Sequence, residues 1–79
     1  MKIYKIRNKN KYFCSDNDFY NYHSNFIDEN DITRHNIYTS IIECKDDYEH
    51  FLKLNKNLPQ ISDVEIVECE MKELKIIKL

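Results

Sequence analysis

The 79-residue sequence contains no glycine and no tryptophan, a single proline and three cysteines. Without glycine, the chain cannot form the Gly-rich loops of nucleotide-binding proteins, because a Cβ atom blocks the close approach of backbone to phosphate. Positions that need a positive φ must be filled by other residues, and the nine asparagines are the least costly substitutes. The composition therefore excludes P-loop and Rossmann fingerprints and predicts asparagine-rich turns.

Features of membrane and secreted proteins are also absent from the sequence. No apolar run approaches the ~20 residues that a membrane-spanning helix needs, and no apolar signal segment follows Met1. Cys14, Cys44 and Cys69 are odd in number and widely spaced, unlike a small disulfide framework. We expect a cytoplasmic protein with free thiols and no membrane partner.

The length predicts one domain, residues 1–79, near the lower limit for a self-sufficient core. Six tyrosines and four phenylalanines supply large apolar areas for that core. A core of this size stabilises a fold by only a few kcal/mol. A homodimer or a bound partner is one way of adding stability.

Charge is segregated along the chain although the net charge is only −2. Residues 1–12 carry +5, residues 13–50 carry −7, and residues 51–79 are neutral. The basic start can therefore complement acidic residues of the same chain. Its five cations are Lys2, Lys5, Arg7, Lys9 and Lys11.

Residues 2–15 have the pattern of a β-hairpin. Residues 2–7 are rich in strand formers, with Tyr4 and Ile6 on one face and Ile3, Lys5 and Arg7 on the other. Residues 8–11 are polar and turn-forming, and an apolar strand resumes at residues 12–15. The cations are then expected to cover the solvent face and edge of the sheet. The alternative is a basic, aromatic-bearing face that binds nucleic acid or a nucleotide ligand.

Residues 16–36 show neither a helical nor a strand period and predict an irregular segment whose aromatics pack onto the sheet. From Ile37 to Leu52, apolar residues recur at steps of three and four, which favours a continuous helix of about 18 residues with Asn36 as its N-cap. The competing interpretation is a strand at 37–43 followed by a helix capped by Asp46. Asn55 and the residues up to Pro59 supply the helix stop.

Residues 63–71 alternate as a strand, and the last eight residues remain compatible with a strand. The predicted fold class is α+β: a small antiparallel sheet, made of the N-terminal hairpin and the C-terminal strand, with one main helix packed on one face. In this arrangement Glu65, Glu68 and Glu70 stand opposite Lys5 and Arg7, and such cross-strand pairs contribute roughly 0.2–1 kcal/mol each.

Three stretches in this order resemble a group of small, mostly uncharacterised proteins encoded by bacteriophages of low-GC hosts. They are KIYKIRNKNKYFCS at residues 2–15, Y-x-x-I-x-x-C-K at residues 38–45, and VEIVECEM at residues 64–71. The resemblance covers about half of the chain and lies in scaffold positions, so it implies a phage origin and no catalytic residues. The chain departs from the group in two places: an Asp/Asn/Tyr segment replaces the Gly-rich stretch that usually follows the hairpin, and Asn36 replaces the glycine before the helix.

Enzymatic and metal chemistry find little support in the sequence. The cysteines and histidines are scattered singly rather than in short ligand pairs, so we predict no metal and no cofactor. The acids of residues 16–31 lack the spacing and central glycine of a calcium loop. A Cys14 or Ser15 nucleophile needs a histidine brought to it by the fold, and we expect no enzyme here.

Binding to another protein is the remaining class of function. Aromatic anchors among polar neighbours are typical of recognition surfaces, and clustered acids can imitate the phosphate path of DNA. We therefore predict a stoichiometric inhibitor of a host protein, a defence or nucleic-acid-handling factor. Its predicted contact residues are Asp16, Asp18, Tyr20, Tyr22, Asp28, Glu29, Asp31, Glu43, Asp46 and Asp47.

Overall fold

The computed structural model describes residues 1–15, 25–56 and 61–70. Within them the element order is β1 (Lys2–Asn8), β2 (Lys11–Phe13), β3 (Phe26–Asp28), α1 (Ile41–Leu54) and β4 (Val64–Glu70). The strands form one antiparallel sheet in the order β3-β2-β1-β4. Helix α1 packs on one face of this sheet, which confirms the predicted α+β fold.

Strand β1 lies between the two ends of the chain. It pairs with β4 without interruption, from Lys2 opposite Glu70 to Asn8 opposite Val64. This pairing confirms the predicted placement of the C-terminal strand beside the hairpin. It also brings the basic start and the acidic strand within contact distance, although they are far apart in sequence.

The hairpin between β1 and β2 turns through two residues, because Asn8 pairs with Lys11. Lys9 takes the left-handed conformation, with φ 56°, and Asp63 before β4 does the same, with φ 62°. Asparagine does not fill the positive-φ positions of the described residues, so this prediction is wrong there. The pairing register, rather than residue preference, places Lys9 at the turn.

The core lies between α1 and one face of the sheet, here called the helix face. Ile6, Phe13 and Phe26 from the strands are buried against Cys44 of the helix. The ring of Phe13 meets the rings of Tyr48 and Phe51 edge-on, with centroids 5.4 Å and 4.9 Å apart. Phenylalanine and tyrosine rings therefore form much of a core in a chain that has no tryptophan.

Helix α1 begins at Ile41, so both predicted starts, Asn36 and Asp46, are wrong. Ser40 is the N-cap, and its hydroxyl accepts a hydrogen bond from the Glu43 N–H at 3.1 Å. The Glu43 carboxylate accepts from the N–H and hydroxyl of Thr39 at 3.2 Å and 3.1 Å. The helix end is as predicted, because Asn55 is the C-cap.

Residues 37–40, predicted as the first helical turn, are not helical. Tyr38 makes a single antiparallel bridge to Tyr4, with N–H to C=O distances of 2.8 Å and 2.9 Å. Ile37 and Ile41 were predicted to belong to the apolar stripe of the helix, and Ile42 to widen it. These predictions are wrong, since 45–71% of the surface of the three side chains is exposed. Ile37 and Tyr38 fall in phase with the apolar residues of the helix. The apolar period therefore extends to residues before the true helix start.

Residues 25–36 are more regular than the sequence predicted. Phe26 and Ile27 are buried in the edge strand β3, which pairs with β2, and Ile32–Arg34 form a single 3₁₀ turn. Three residues are too few to show a strand period, which explains why the pattern was missed. The predicted contact residues Asp16, Asp18, Tyr20 and Tyr22, the end of the helix stop near Pro59 and the C-terminal residues 71–79 lie outside the described residues.

Candidate protein-binding site

The cations of β1 are mostly paired with glutamates of β4. Arg7 donates to the Glu65 carboxylate through Nε, at 2.8 Å, and through Nη2. Hydrogen bonding to Glu65 is the main cause that raises the pKa of Arg7. These contacts give the arginine an acidic partner within its own sheet, as the sequence predicted.

The start of β1 is neutralised in the same way. The Lys2 Nζ lies 3.7 Å from a Glu68 carboxylate oxygen, and the amino group of Met1 lies 3.0 Å from the Glu70 carboxylate. The Tyr4 hydroxyl also donates to Glu68, at 3.2 Å. All three β4 glutamates therefore contact groups at the N-terminal end of the chain or on β1.

Lys5 departs from the predicted pairing because its cross-strand neighbour is Val67 rather than a glutamate. Its ammonium instead lies 3.1 Å from Nδ1 of the buried His35 and 5.3 Å from the centre of the Tyr12 ring. His35 stacks on Tyr12 with ring centroids 4.6 Å apart. The prediction that Lys5 faces a glutamate is wrong, since the register sets Glu65 opposite Arg7 and Glu68 opposite Tyr4.

The tautomer of His35 follows from its two contacts. Its Nε2 lies 2.8 Å from the Asp28 carbonyl oxygen, which can only accept, so Nε2 carries the proton. Its Nδ1 then accepts from the Lys5 ammonium, which can only donate. A neutral imidazole therefore joins the end of β3 to the centre of β1.

The helix carries an acidic stripe, defined here as Glu43, Asp46 and Asp47. Steps of three and four residues place these side chains along one side of α1. Glu43 and Asp46 are exposed and Asp47 is half-buried. Among the described residues, no ion pair involves the stripe; the pairs found there use Glu65, Glu68, Glu70 and Asp31.

An open groove of 550 Å³ runs beside the acidic stripe. Its other wall is formed by Ser15 and Asn36, with Tyr38 between them and the helix. A second depression of 430 Å³ shares Ser15, Asp47 and His50 with the groove and continues along the helix to Phe51 and Leu54. The combined surface is acidic at the helix start and apolar toward the helix end.

The wall of the groove is held by directional bonds. The Asn36 side chain accepts from the Ser15 N–H at 3.1 Å and donates to the Tyr38 hydroxyl at 3.0 Å. Tyr38 in turn donates to the Asp47 carboxylate. Burial first, and this bond second, raise the pKa of Tyr38 far above its usual value near 10. Asp47 is thus fixed in position while Asp46 remains open to solvent.

The structure separates the other predicted acids from this stripe. Asp28, Glu29 and Asp31 lie at the end of β3 and in the loop after it, where the Asp28 carboxylate accepts from the Asn30 N–H at 2.8 Å and Asp31 pairs with Arg34. Glu49, on another side of α1, lines a 360 Å³ cleft between the helix and β4. Of the described contact residues, Glu43, Asp46 and Asp47 line the groove together.

Several residues of the site were missed by the sequence analysis. Ser40 carried the clearest signal, because Ser40-x-x-Glu43 has the spacing of a capping box and fixes the helix start. Asn36 and Ser15 carried no signal, since their contact spans 21 residues of chain. His35 was counted only as a scattered histidine.

Chemically reactive groups do not converge within the described residues. No set of three or more His, Cys, Asp or Glu side chains in residues 1–15, 25–56 and 61–70 is arranged to hold a metal ion. Cys14 and Cys44 are buried, and Cys69 is half-buried. Burial is the first cause that raises the pKa of the Cys44 thiol, followed by the charges of Glu43 and Asp47. None of the helices in these ranges has the length and apolarity needed to cross a bilayer.

No protein-family model, curated protein or solved structure matches this chain.

Proposed function

We propose that the protein is a small phage-type binding protein that occupies a basic surface of a host protein stoichiometrically and without catalysis. The proposal rests on a difference between the acidic residues of β4 and those of α1. The β4 glutamates contact cations at the start of the chain and on β1, whereas no described cation pairs with the acidic stripe of α1. Carboxylates that no cation neutralises attract a cationic partner over about a Debye length.

The chemistry of the stripe favours a partner that normally binds nucleic acid. Residues Glu43 and Asp47 lie four positions apart on the helix, which corresponds to a rise of about 6 Å. A row of carboxylates held at such spacing offers a basic groove a substitute for phosphates. A host nucleic-acid-handling or defence factor is therefore the class of target that we propose, in keeping with the resemblance to phage proteins.

The test is capture of host proteins on the immobilised protein, comparing Asp46→Asn with Glu49→Gln. Asp46 is exposed and lies on the stripe, whereas Glu49 is a helical acid of equal charge on another side. We expect Asp46→Asn to weaken capture of the partner more than about fivefold at roughly 0.15 M salt, and Glu49→Gln to leave it unchanged. Equal loss in both variants would indicate a nonspecific charge effect and contradict the proposal.

Nucleic-acid or nucleotide-ligand binding through the basic hairpin is the second candidate, and the exposure of Lys9 and Lys11 at its turn favours it. Direct binding to phosphates weakens steeply as salt rises. Titration with a labelled single strand distinguishes the two functions: Lys9→Glu combined with Lys11→Glu abolishes the second function and leaves host-protein capture intact.

A further inference from the structure

Strand β4 forms an edge of the described sheet. It pairs with β1 along all of its seven residues, and no strand within residues 1–15, 25–56 and 61–70 lies on its other side. Natural edge strands are protected from further pairing by short length, bulges, proline or lysine. The segment Val64–Glu70 is long, has no bulge in its register with β1, and contains neither proline nor lysine.

Backbone hydrogen bonds show which residues present the unpaired groups of this edge. The N–H and C=O of Tyr4 bond to Tyr38, at 2.8 Å and 2.9 Å, and therefore point away from β4. Direction alternates along a strand, so the backbone of Lys5 points toward β4 and bonds with its partner Val67. The backbone of Val67 is thus used within the sheet.

By the same alternation, the residues on either side of Val67 direct their N–H and C=O groups away from β1. These residues are Val64, Ile66, Glu68 and Glu70. They provide four donors and four acceptors at regular spacing along the edge. Such a row is the template for an additional antiparallel or parallel strand.

The charges of β4 would normally oppose pairing with a second acidic strand. Here the three glutamates already contact Arg7, Lys2 and the amino group of Met1. The basic start of the chain therefore offsets the negative charge of the edge from the opposite side. This removes a barrier to the approach of an identical strand.

From this edge and its charges we infer that β4 pairs antiparallel with β4 of a second copy of the chain, with the two-fold axis at Val67. This is the register in which all seven residues pair. It sets Ile66 opposite Glu68 and Val64 opposite Glu70 of the second copy, so the outward-facing backbone groups meet one another. Val67 faces Val67 of the second copy, and Glu65 faces Cys69.

Neighbouring registers are less favourable. A shift of two residues one way sets Glu68 against Glu68 of the second copy, and directly opposed like charges destabilise a strand pair. A shift of two residues the other way avoids this clash, but, like the first shift, it pairs only five of the seven residues of β4. The dimer joins two sheets into one, and β4 shares no residue with the acidic stripe of α1.

Sedimentation equilibrium of the full chain over a range of concentrations tests the dimer, with Val67→Glu and Val67→Thr as a matched pair. Within one chain a glutamate at position 67 faces Lys5, so we expect the fold to be retained. In the dimer the same glutamate faces the glutamate at position 67 of the second copy. We expect the wild type and Val67→Thr to dimerise and Val67→Glu to raise the dissociation constant more than about tenfold. A wild type that is monomeric at every concentration overturns the inference, including the case in which residues 71–79 cover the edge.

Disulfide crosslinking tests the register. Val67 occupies a non-hydrogen-bonded pair across the axis, where Cα atoms lie about 4.5 Å apart, within the range that a disulfide spans. Val67→Cys in a Cys69→Ser background is expected to form a crosslinked dimer on mild oxidation. Glu65→Cys in the same background faces the substituted position 69 of the second copy, which has no thiol, and is expected to remain uncrosslinked. Equal crosslinking in both variants, or crosslinking of the wild type through Cys69, overturns the register.

Discussion

The two faces of the sheet combine apolar packing and polar contacts in different proportions. On the helix face, Phe13, Phe26 and Ile6 pack against α1 with almost no exposed surface. The far face also buries Ile3 and Ile27, but it carries in addition the hydrogen bonds of His35 and the ion pair of Arg7 with Glu65. Apolar packing is non-directional and its free energy scales with buried area, whereas polar contacts fix geometry and stabilise less.

This difference explains how a small, glycine-free chain can hold a single structure. The helix face supplies most of the free energy of folding through large aromatic side chains. On the far face, His35 links the end of β3 to the centre of β1 through two directional hydrogen bonds. Substitutions on the two faces should therefore differ in size and in kind.

The largest expected effect is that of Phe13→Ala. Phe13 is fully buried and contacts the rings of Phe26, Tyr48 and Phe51. Truncation leaves a cavity and should reduce the free energy of unfolding by about 3–5 kcal/mol, comparable to the whole stability of such a domain. We expect Phe13→Ala to be largely unfolded by circular dichroism, and Phe13→Leu to be folded with a loss of about 1.5 kcal/mol.

His35 probes the far face. His35→Ala removes the stack on Tyr12 and both hydrogen bonds, and should reduce the free energy of unfolding by about 2 kcal/mol. His35→Phe keeps the aromatic stack and removes only the bonds, so its loss should be about 1 kcal/mol. Urea unfolding of both variants gives the comparison. Equal losses would mean that the hydrogen bonds, and not the ring stack, account for the whole effect.

Tyr38 joins the sheet to the acidic stripe. Its environment leads us to expect that the free energy of unfolding depends on pH. Burial and the bond to Asp47 raise its pKa, and burial also raises the pKa of Tyr48. Unfolded tyrosine releases its proton near pH 10, whereas these tyrosines hold theirs to higher pH. Their contribution is thus complete below about pH 9 and is lost as the pH rises above 10.

Tyr38→Phe tests this dependence directly. It removes the hydroxyl bond to Asp47, and the loss at neutral pH should be about 1 kcal/mol. The variant should also lose stability less steeply than the wild type between about pH 9 and 11, because one of the two perturbed tyrosines is gone. Urea unfolding across this range measures both effects. An unchanged slope would show that Tyr38 ionises at its ordinary pH.

The smallest expected effect is that of Arg7→Gln. The ion pair with Glu65 lies at the surface, where solvent and salt screen the attraction and the ordering of two side chains opposes it. We expect the thermal midpoint to remain within the error of the measurement. A clear drop would mean that charge pairing, and not the aromatic core, holds β1 against β4.

Local pattern predicted much of the fold but little of the site. The alternation in residues 2–7 placed Tyr4 and Ile6 on one face of the strand, which is the face that the helix covers. The order of the elements predicted the C-terminal strand beside the hairpin, where its glutamates meet the basic start. The predicted helix start was wrong because the hydrophobic period extends to residues before Ile41, and the Ser-x-x-Glu cap at Ser40 was missed. The groove beside the acidic stripe could not be predicted from the sequence, since Ser15 and Asn36 meet only in the folded chain.

The sequence by itself determined the class of fold, because alternating and helical periods, together with complementary charge at the two ends, are local or compositional properties. Tertiary structure decided which charges are paired and which are left exposed. The partner of Lys5 is a histidine 30 residues away, and Arg7 meets Glu65 only once β4 lies beside β1. Such outcomes depend on which groups meet across the sheet, and the groups that meet are far apart in the sequence.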